Sequence, residues 1–215
     1  MATRRGRWEP PTFDTDERAR LKRWLWLAIA GLVVIGVALV YVGEPMTAEG
    51  GANIVTYELA DSGERAEEIL DGWGPEGRDA ARWSLILDYG WLVSYGAVLL
   101  VGSVLVAEMA RDRGWTRVRR LGWLVAGLAL AAALLDAVEN TALLWQLSRG
   151  GTDVAALVAR FAAGLKFLFV ALAILYLVVA GITAFFRRPE AERLEPQTEP
   201  RRSSGEQSVT ISRRE

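Results

Sequence analysis

Four long stretches of the chain are almost free of charge, and this constrains the fold more than any other feature. They lie at about 24–43, 83–107, 121–147 and 157–186. A helix needs about 20 mostly apolar residues to cross a bilayer, so each stretch is long enough. Because lipid offers no hydrogen-bond partners, a spanning backbone must satisfy its own polar groups within a helix. The sequence therefore predicts an all-α polytopic membrane protein, a four-transmembrane-helix bundle with disordered termini.

The segments outside these stretches carry most of the charge. Residues 1–23 are basic and predict a flexible cytoplasmic arm, whereas residues 187–215 are too poor in apolar residues to form a core and predict a disordered tail. The four-helix transmembrane domain then covers residues 24–186. A cleaved signal peptide is the rival interpretation of the first stretch, but apolar signal regions run to only about 7–15 residues.

The connection at 44–82 is long and acidic. Asp61 or Ser62 can cap a helix there, and Ile69, Leu70 and Trp73 give that helix an apolar edge. Gly74 and the following proline should end it. The pattern predicts a short amphipathic helix near the membrane surface.

The arginines and lysines predict the orientation in the membrane. They are concentrated in the first 23 residues, in the 108–120 connection and in the tail, while the 44–82 and 148–156 connections hold few. The positive-inside rule then places both termini in the cytoplasm of a multi-pass plasma-membrane protein. Tryptophans at the ends of the apolar stretches agree with the membrane boundaries expected from this arrangement. They are Trp24, Trp26, Trp115 and Trp123 at the inner boundary and Trp83 and Trp145 at the outer one.

Polar side chains inside the apolar stretches are the main clue to function. A charge at bilayer depth costs at least about 2.5–3.5 kcal/mol, so it needs a partner or water. A rise of about 1.5 Å per residue places these groups in one layer in the outer half of the membrane. The ligand- or proton-binding candidates are Asp88, Tyr89, Tyr95, Asp136, Glu139, Asn140 and Lys166.

The charge of this layer is unbalanced. Three carboxyls face one ammonium, so full ionisation would leave a double negative charge in a low dielectric. A protonated carboxyl, a bound cation or a water-filled path from outside would relieve this. The alternative is that the polar groups only hold the helices together, each contributing under about 2 kcal/mol. Glycines in the spans, such as Gly31, Gly36 and Gly127, predict close helix contacts.

The chain has no cysteine and no histidine. This excludes thiol nucleophiles, thiolate metal sites and histidine-ligated haem. We expect no cofactor and no metal, and the sequence contains no serine-triad or phosphate-loop signature.

Several motifs together resemble a family of uncharacterised bacterial four-helix integral membrane proteins. The motifs cover roughly residues 57–170. They are Glu64-Arg65-Ala66-Glu67-Glu68-Ile69-Leu70-Asp71-Gly72-Trp73-Gly74, Leu87-Asp88-Tyr89-Gly90 with Tyr95, Leu135-Asp136-Ala137-Val138-Glu139-Asn140, and Lys166-Phe167. The resemblance implies a fold, a bacterial inner membrane and a site among these residues, but no reaction.

Three functions stay open on this reasoning. The first is binding or transport of a small cationic or amphiphilic ligand, or of protons. The second is an intramembrane enzyme that acts on a lipid-like substrate with an acid as general base. The third is an accessory or assembly subunit. We expect the lipid bilayer as environment, a small molecule or a lipid as ligand, an undetermined protein partner and no nucleic acid.

Overall fold

A computed structural model describes residues 10–48 and 51–186. It contains five helices, and the described residues form no strand. The helices are α1 (Thr15–Thr47), α2 (Ile54–Glu58), α3 (Gly63–Asp112), α4 (Thr116–Arg149) and α5 (Asp153–Phe186). All except α2 are long and apolar enough to cross a membrane, which confirms the predicted all-α, four-span fold. The predicted tail at 187–215 lies outside the described residues.

Helix α3 is the centre of the bundle. It packs along α1 and α4 and also touches α5, while α4 packs along α5. Helix α1 lies on the outside of α3, and its most apolar stretch contains no buried residue. Gly31 and Gly36 make this approach close, as predicted, because a Cβ at either position would press on a side chain of α3. Gly127 faces open space instead, so the predicted helix contact there is wrong.

Two sides of the bundle differ in charge. We call the side that holds the start of α1 and the turn from α3 to α4 the arginine-rich side. The side that holds α2, the start of α3 and the turn from α4 to α5 is the acidic side. Successive spans alternate in direction, so α1 and α4 run towards the acidic side, and α3 and α5 run away from it.

The basic segment before the first apolar stretch is attached to the bundle. Asp14 and Glu17 form a reciprocal capping box that begins α1. One turn later, Arg18 Nη2 lies 2.8 Å from Oε2 of Glu108, which is buried in α3. We expected a flexible arm over residues 1–23, but residues 10–23 are docked or helical. The physical reason is that the buried carboxylate of Glu108 needs positive charge, which Arg18 supplies together with Arg111.

The amphipathic helix lies where the sequence predicts it, as the first part of α3. Ser62 caps it, and it ends at a break where Gly74 adopts a φ of 61° before a proline. Its apolar edge of Ile69, Leu70 and Trp73 is buried against the bundle, and its position near the membrane surface stays a prediction. We call residues 51–73, which comprise α2 and this first part of α3, the cap.

The cap is fastened to the turn between α4 and α5. The carboxylate of Glu67 accepts a hydrogen bond from the backbone N–H of Gly151 at 2.9 Å. In return, Asp153 Oδ1 accepts one from the N–H of Gly63 at 2.9 Å. The two backbones touch, since a Cβ at Gly151 would overlap the carbonyl oxygen of Gly63. The cap therefore has a fixed position over the acidic end of the bundle.

Candidate functional site

Lys166 is the centre of the buried polar cluster. Its Nζ lies 2.7 Å from Asp136 Oδ1 and 2.8 Å from Glu139 Oε2. The two acids are three residues apart in α4 and so share one helix face, which α5 covers with the lysine. Their exposed fractions are 2% for Asp136, 0% for Glu139 and 6% for Lys166. This part of the cluster is a buried, charge-paired contact between two spans.

Helix α3 adds a second row of polar groups. Tyr95 donates a hydrogen bond to Asp136 Oδ2 at 2.8 Å. Asp88, seven residues earlier and on the same face of α3, accepts one from the amide of Asn140 at 2.6 Å. The spans therefore bring together six of the seven residues that the sequence singles out.

Tyr89 is the exception, because the structure does not bring its side chain to the other six. Its hydroxyl lies 2.8 Å from Thr141 Oγ1, which faces a groove on the flank of α4 and α5. Successive residues of a helix point about 100° apart, so Tyr89 cannot share the face of Asp88. Counting residues along the span predicts the depth of Tyr89 in the membrane, but it does not predict which way its side chain points around the helix axis.

Glu58 belongs to the cluster, although sequence reasoning counted it among the acids of a solvated connection. It is the last residue of α2, only 8% exposed, and its Oε2 lies 3.9 Å from Lys166 Nζ. Burial raises the pKa of Glu58 to about 7, against the opposing attraction of Lys166. The available signal was the helix-capping Asn53 followed by an apolar run that contains one acid.

These residues give the site a larger charge imbalance than the sequence predicted. Four carboxyls, from Glu58, Asp88, Asp136 and Glu139, now face Lys166, the one cation that the described residues bring to them. Full ionisation would give a charge of 1 − 4 = −3. We call these five residues the carboxylate cluster.

Two buried acceptors beside the lysine lack a donor among the described residues. They are Glu139 Oε1 and Asn140 Oδ1, on residues that have no exposed surface. Buried polar atoms without a partner are costly, and they occur most often where a ligand, an ion or water completes the site. The cluster is therefore both too negative and short of donors.

Two cavities reach the cluster. One of about 550 Å³ lies between α1, α3 and α5 beneath α2, and we call it the cleft. Its polar lining is Glu58, Asp88, Tyr95, Asp136 and Lys166. The other, of about 410 Å³, lies between the end of α1, α2 and α3 on the acidic side. Glu58 and Asp88 line both cavities, so these two carboxyls form the accessible rim of an otherwise buried cluster.

No protein-family model, curated protein or solved structure matches this chain. The resemblance to a bacterial four-helix family stays a prediction.

Proposed function

We propose that the protein binds a small organic cation at the rim of the carboxylate cluster and serves as a binding protein or carrier in the membrane. The observation that supports this most is that four carboxyls share one ammonium, while three of the four line the cleft and two of these, Glu58 and Asp88, line both cavities. The cleft volume lies within the range of about 300–1,000 Å³ typical of small-molecule sites.

The division of the cluster favours a cationic ligand. Lys166 is engaged most closely by Asp136 and Glu139 and only at 3.9 Å by Glu58, so its single positive charge cannot balance the rim carboxyls as well. A cation at the rim would balance their charge. Trp91, Tyr95 and Phe167 also line the cleft, and aromatic rings attract cations through their π faces.

The competing interpretations explain less of the site. Helix assembly accounts for the buried contact of Lys166 with Asp136 and Glu139, but it does not need two more acids at a cavity wall. An enzyme with one acid as general base would account for one of the rim carboxyls, Glu58 or Asp88, but not for the second. Cation binding uses both parts of the cluster, the buried one as a frame and the rim as the site.

We also propose that the acidic side faces the outside of the cell, with both termini in the cytoplasm and the protein in the plasma membrane. The support is the positive-inside rule, because the beginning of α1 and the turn between α3 and α4 carry the arginines. The rim would then take its ligand from the outer half of the bilayer.

The test is calorimetric titration of the protein in nanodiscs of zwitterionic lipid with propylammonium chloride. We expect saturable binding, and we expect Asp88→Asn to weaken it at least tenfold, because losing one partner of a desolvated charge pair costs about 2–5 kcal/mol. Glu64→Gln is the matched control, since it removes one carboxylate from an exposed position of the cap. Its affinity should equal that of the wild type.

Two results would refute the proposal. One is that propylammonium binds no more tightly than propanol, which has a similar size and no charge. The other is that Asp88→Asn and Glu64→Gln weaken binding equally, since the effect would then come from the overall charge of the acidic side.

A further inference from the structure

The cleft changes its chemistry with depth. The charged groups lie at the end nearest the acidic side, where α2 covers them. Since α5 runs away from that side, Ile174 lies about 12 Å deeper than Lys166 at a rise of about 1.5 Å per residue. On α3, Leu99 lies about 16 Å deeper than Asp88 for the same reason. The deep lining is apolar and consists of Leu32, Val98, Leu99, Val170 and Ile174.

The cleft also faces the bilayer sideways. Its two outer walls come from α1, through Leu32, and from α5, through Phe167 and Ile174. Phe167 and Ile174 are 46% and 49% exposed, on a helix surface that lipid would cover. A molecule could thus enter from the leaflet next to the acidic side without crossing the cap.

We propose that the ligand is an amphiphilic amine, with a protonated amine head and one alkyl chain, taken up from that leaflet. The head lies between Glu58 and Asp88, and the chain runs down the cleft past Tyr95 and Val170 towards Ile174. This rests on the proposed cation binding and specifies the class of cation.

The polar groups select this head over the other common ones. An amine head brings a positive charge and N–H donors to Glu58 and Asp88, the carboxyls that line the cleft where the head would lie. An anionic head would meet Glu58 and Asp88, and Lys166 is already engaged by two carboxylates. A neutral head would leave the negative charge of the rim uncompensated.

The experiment uses decylammonium with a diazirine at the end of its chain, added to the protein in zwitterionic nanodiscs and activated by light. Peptide mass spectrometry should locate the cross-links at residues 98–99 and 170–174. Ile174→Trp fills the deep end of the cleft and should reduce this labelling at least fivefold. Val178→Trp is the matched control, because Val178 is 51% exposed on the same helix and lines none of the described cavities. It should leave the labelling unchanged.

A chain-length series on the wild type gives an independent measurement if Ile174→Trp fails to assemble. After correction for partition into the nanodisc, affinity should increase at least tenfold from propylammonium to decylammonium. Decyl sulfate with the same diazirine should not label the cleft.

The outcomes separate this inference from the function on which it rests. If propylammonium binds as proposed but the longer chain adds no affinity, or if decyl sulfate labels the cleft equally, the ligand is a small cation and the amphiphile is refuted. Cross-links spread evenly over the lipid-facing surface of α5 would refute it as well. If propylammonium fails to bind, both proposals fall together.

Discussion

Removing the charge of Lys166 tests the centre of the cluster most directly. In Lys166→Met, the side chain keeps its approximate length but the ammonium is lost. Three carboxylate oxygens, at 2.7, 2.8 and 3.9 Å, then lose their cation. The lysine is only 6% exposed, so bulk solvent replaces little of its charge. Removing one partner of a buried ion pair costs about 3–5 kcal/mol, and we expect a loss of that order.

The partners of the lysine can be separated by double-mutant cycles. Lys166→Met combined with Asp136→Asn or with Glu139→Gln should show a coupling of about 1–3 kcal/mol, because each acid contacts the lysine directly. Asp88→Asn should show a weaker coupling than either, since Asp88 hydrogen-bonds to Asn140 and makes no contact with the lysine.

The assay is reversible unfolding in mixed micelles, supported by thermal unfolding. For a chain of this size, the expected loss corresponds to a Tm lower by roughly 6–20 °C. Lys22→Met makes the same substitution at an exposed position of α1 and should change the Tm little. If the losses of stability in Lys166→Met and in Asp136→Asn or Glu139→Gln are additive for both acids, the buried charge-paired contact is refuted.

Three further predictions concern the periphery of the cluster and the ends of the bundle. The folded-state pKa of Glu58 is raised to about 7 from 4.5, so the folded protein binds more protons between these values and its stability should fall as the pH rises from about 4.5 to about 7. Thermal unfolding against pH should show this decline in the wild type and in Glu64→Gln, and a smaller decline in Glu58→Gln; equal declines in all three would contradict it. A single cysteine in place of Arg65 should react with an impermeant thiol reagent in intact cells, and one in place of Arg117 should not, because the arginine-rich side is proposed to be cytoplasmic. The native chain has no cysteine, so there is no background labelling of the protein. The reverse pattern would invert the topology. Arg18→Met should lower the free energy of unfolding by about 1–3 kcal/mol, since it removes a cation from a buried carboxylate of α3, and an unchanged value would show that the docked segment is not held by this pair.

The depth in the membrane at which the polar residues meet could be predicted, because depth is proportional to residue number along a spanning helix. Its rise per residue is fixed, and the ends of each span are marked by charge and tryptophan, so depth follows from counting. That is why Asp88, Asn140 and Lys166 were expected in one layer, and why the structure joins them to the same cluster. Counting residues constrains the direction of a side chain around the helix axis less closely, which is why Tyr89, at the same level, points away from the other six residues.

Glu58 could not be predicted from depth, because it does not lie on a span. Its position depends on tertiary contacts of the cap. Tyr57 donates to the carbonyl of Leu143, and the break at Gly74 turns the first part of α3 over the bundle. An acid in a polar connection is normally solvated, so only the folded cap reveals that this one is buried beside a lysine.

The cleft in turn depends on where α1 packs, and two glycines decide that. A Cβ at Gly31 would lie 2.9 Å from Ser94 Oγ, and one at Gly36 would lie 2.8 Å from the Trp91 ring. Helix α1 therefore fits closely against α3, and Trp91 is held between α1 and the cleft that it lines. A larger side chain at position 36 would have to displace either α1 or the indole. The same ring contributes to the wall of the proposed cation site. The glycines that the sequence predicts as helix contacts therefore also determine the shape of the space in which a ligand would bind.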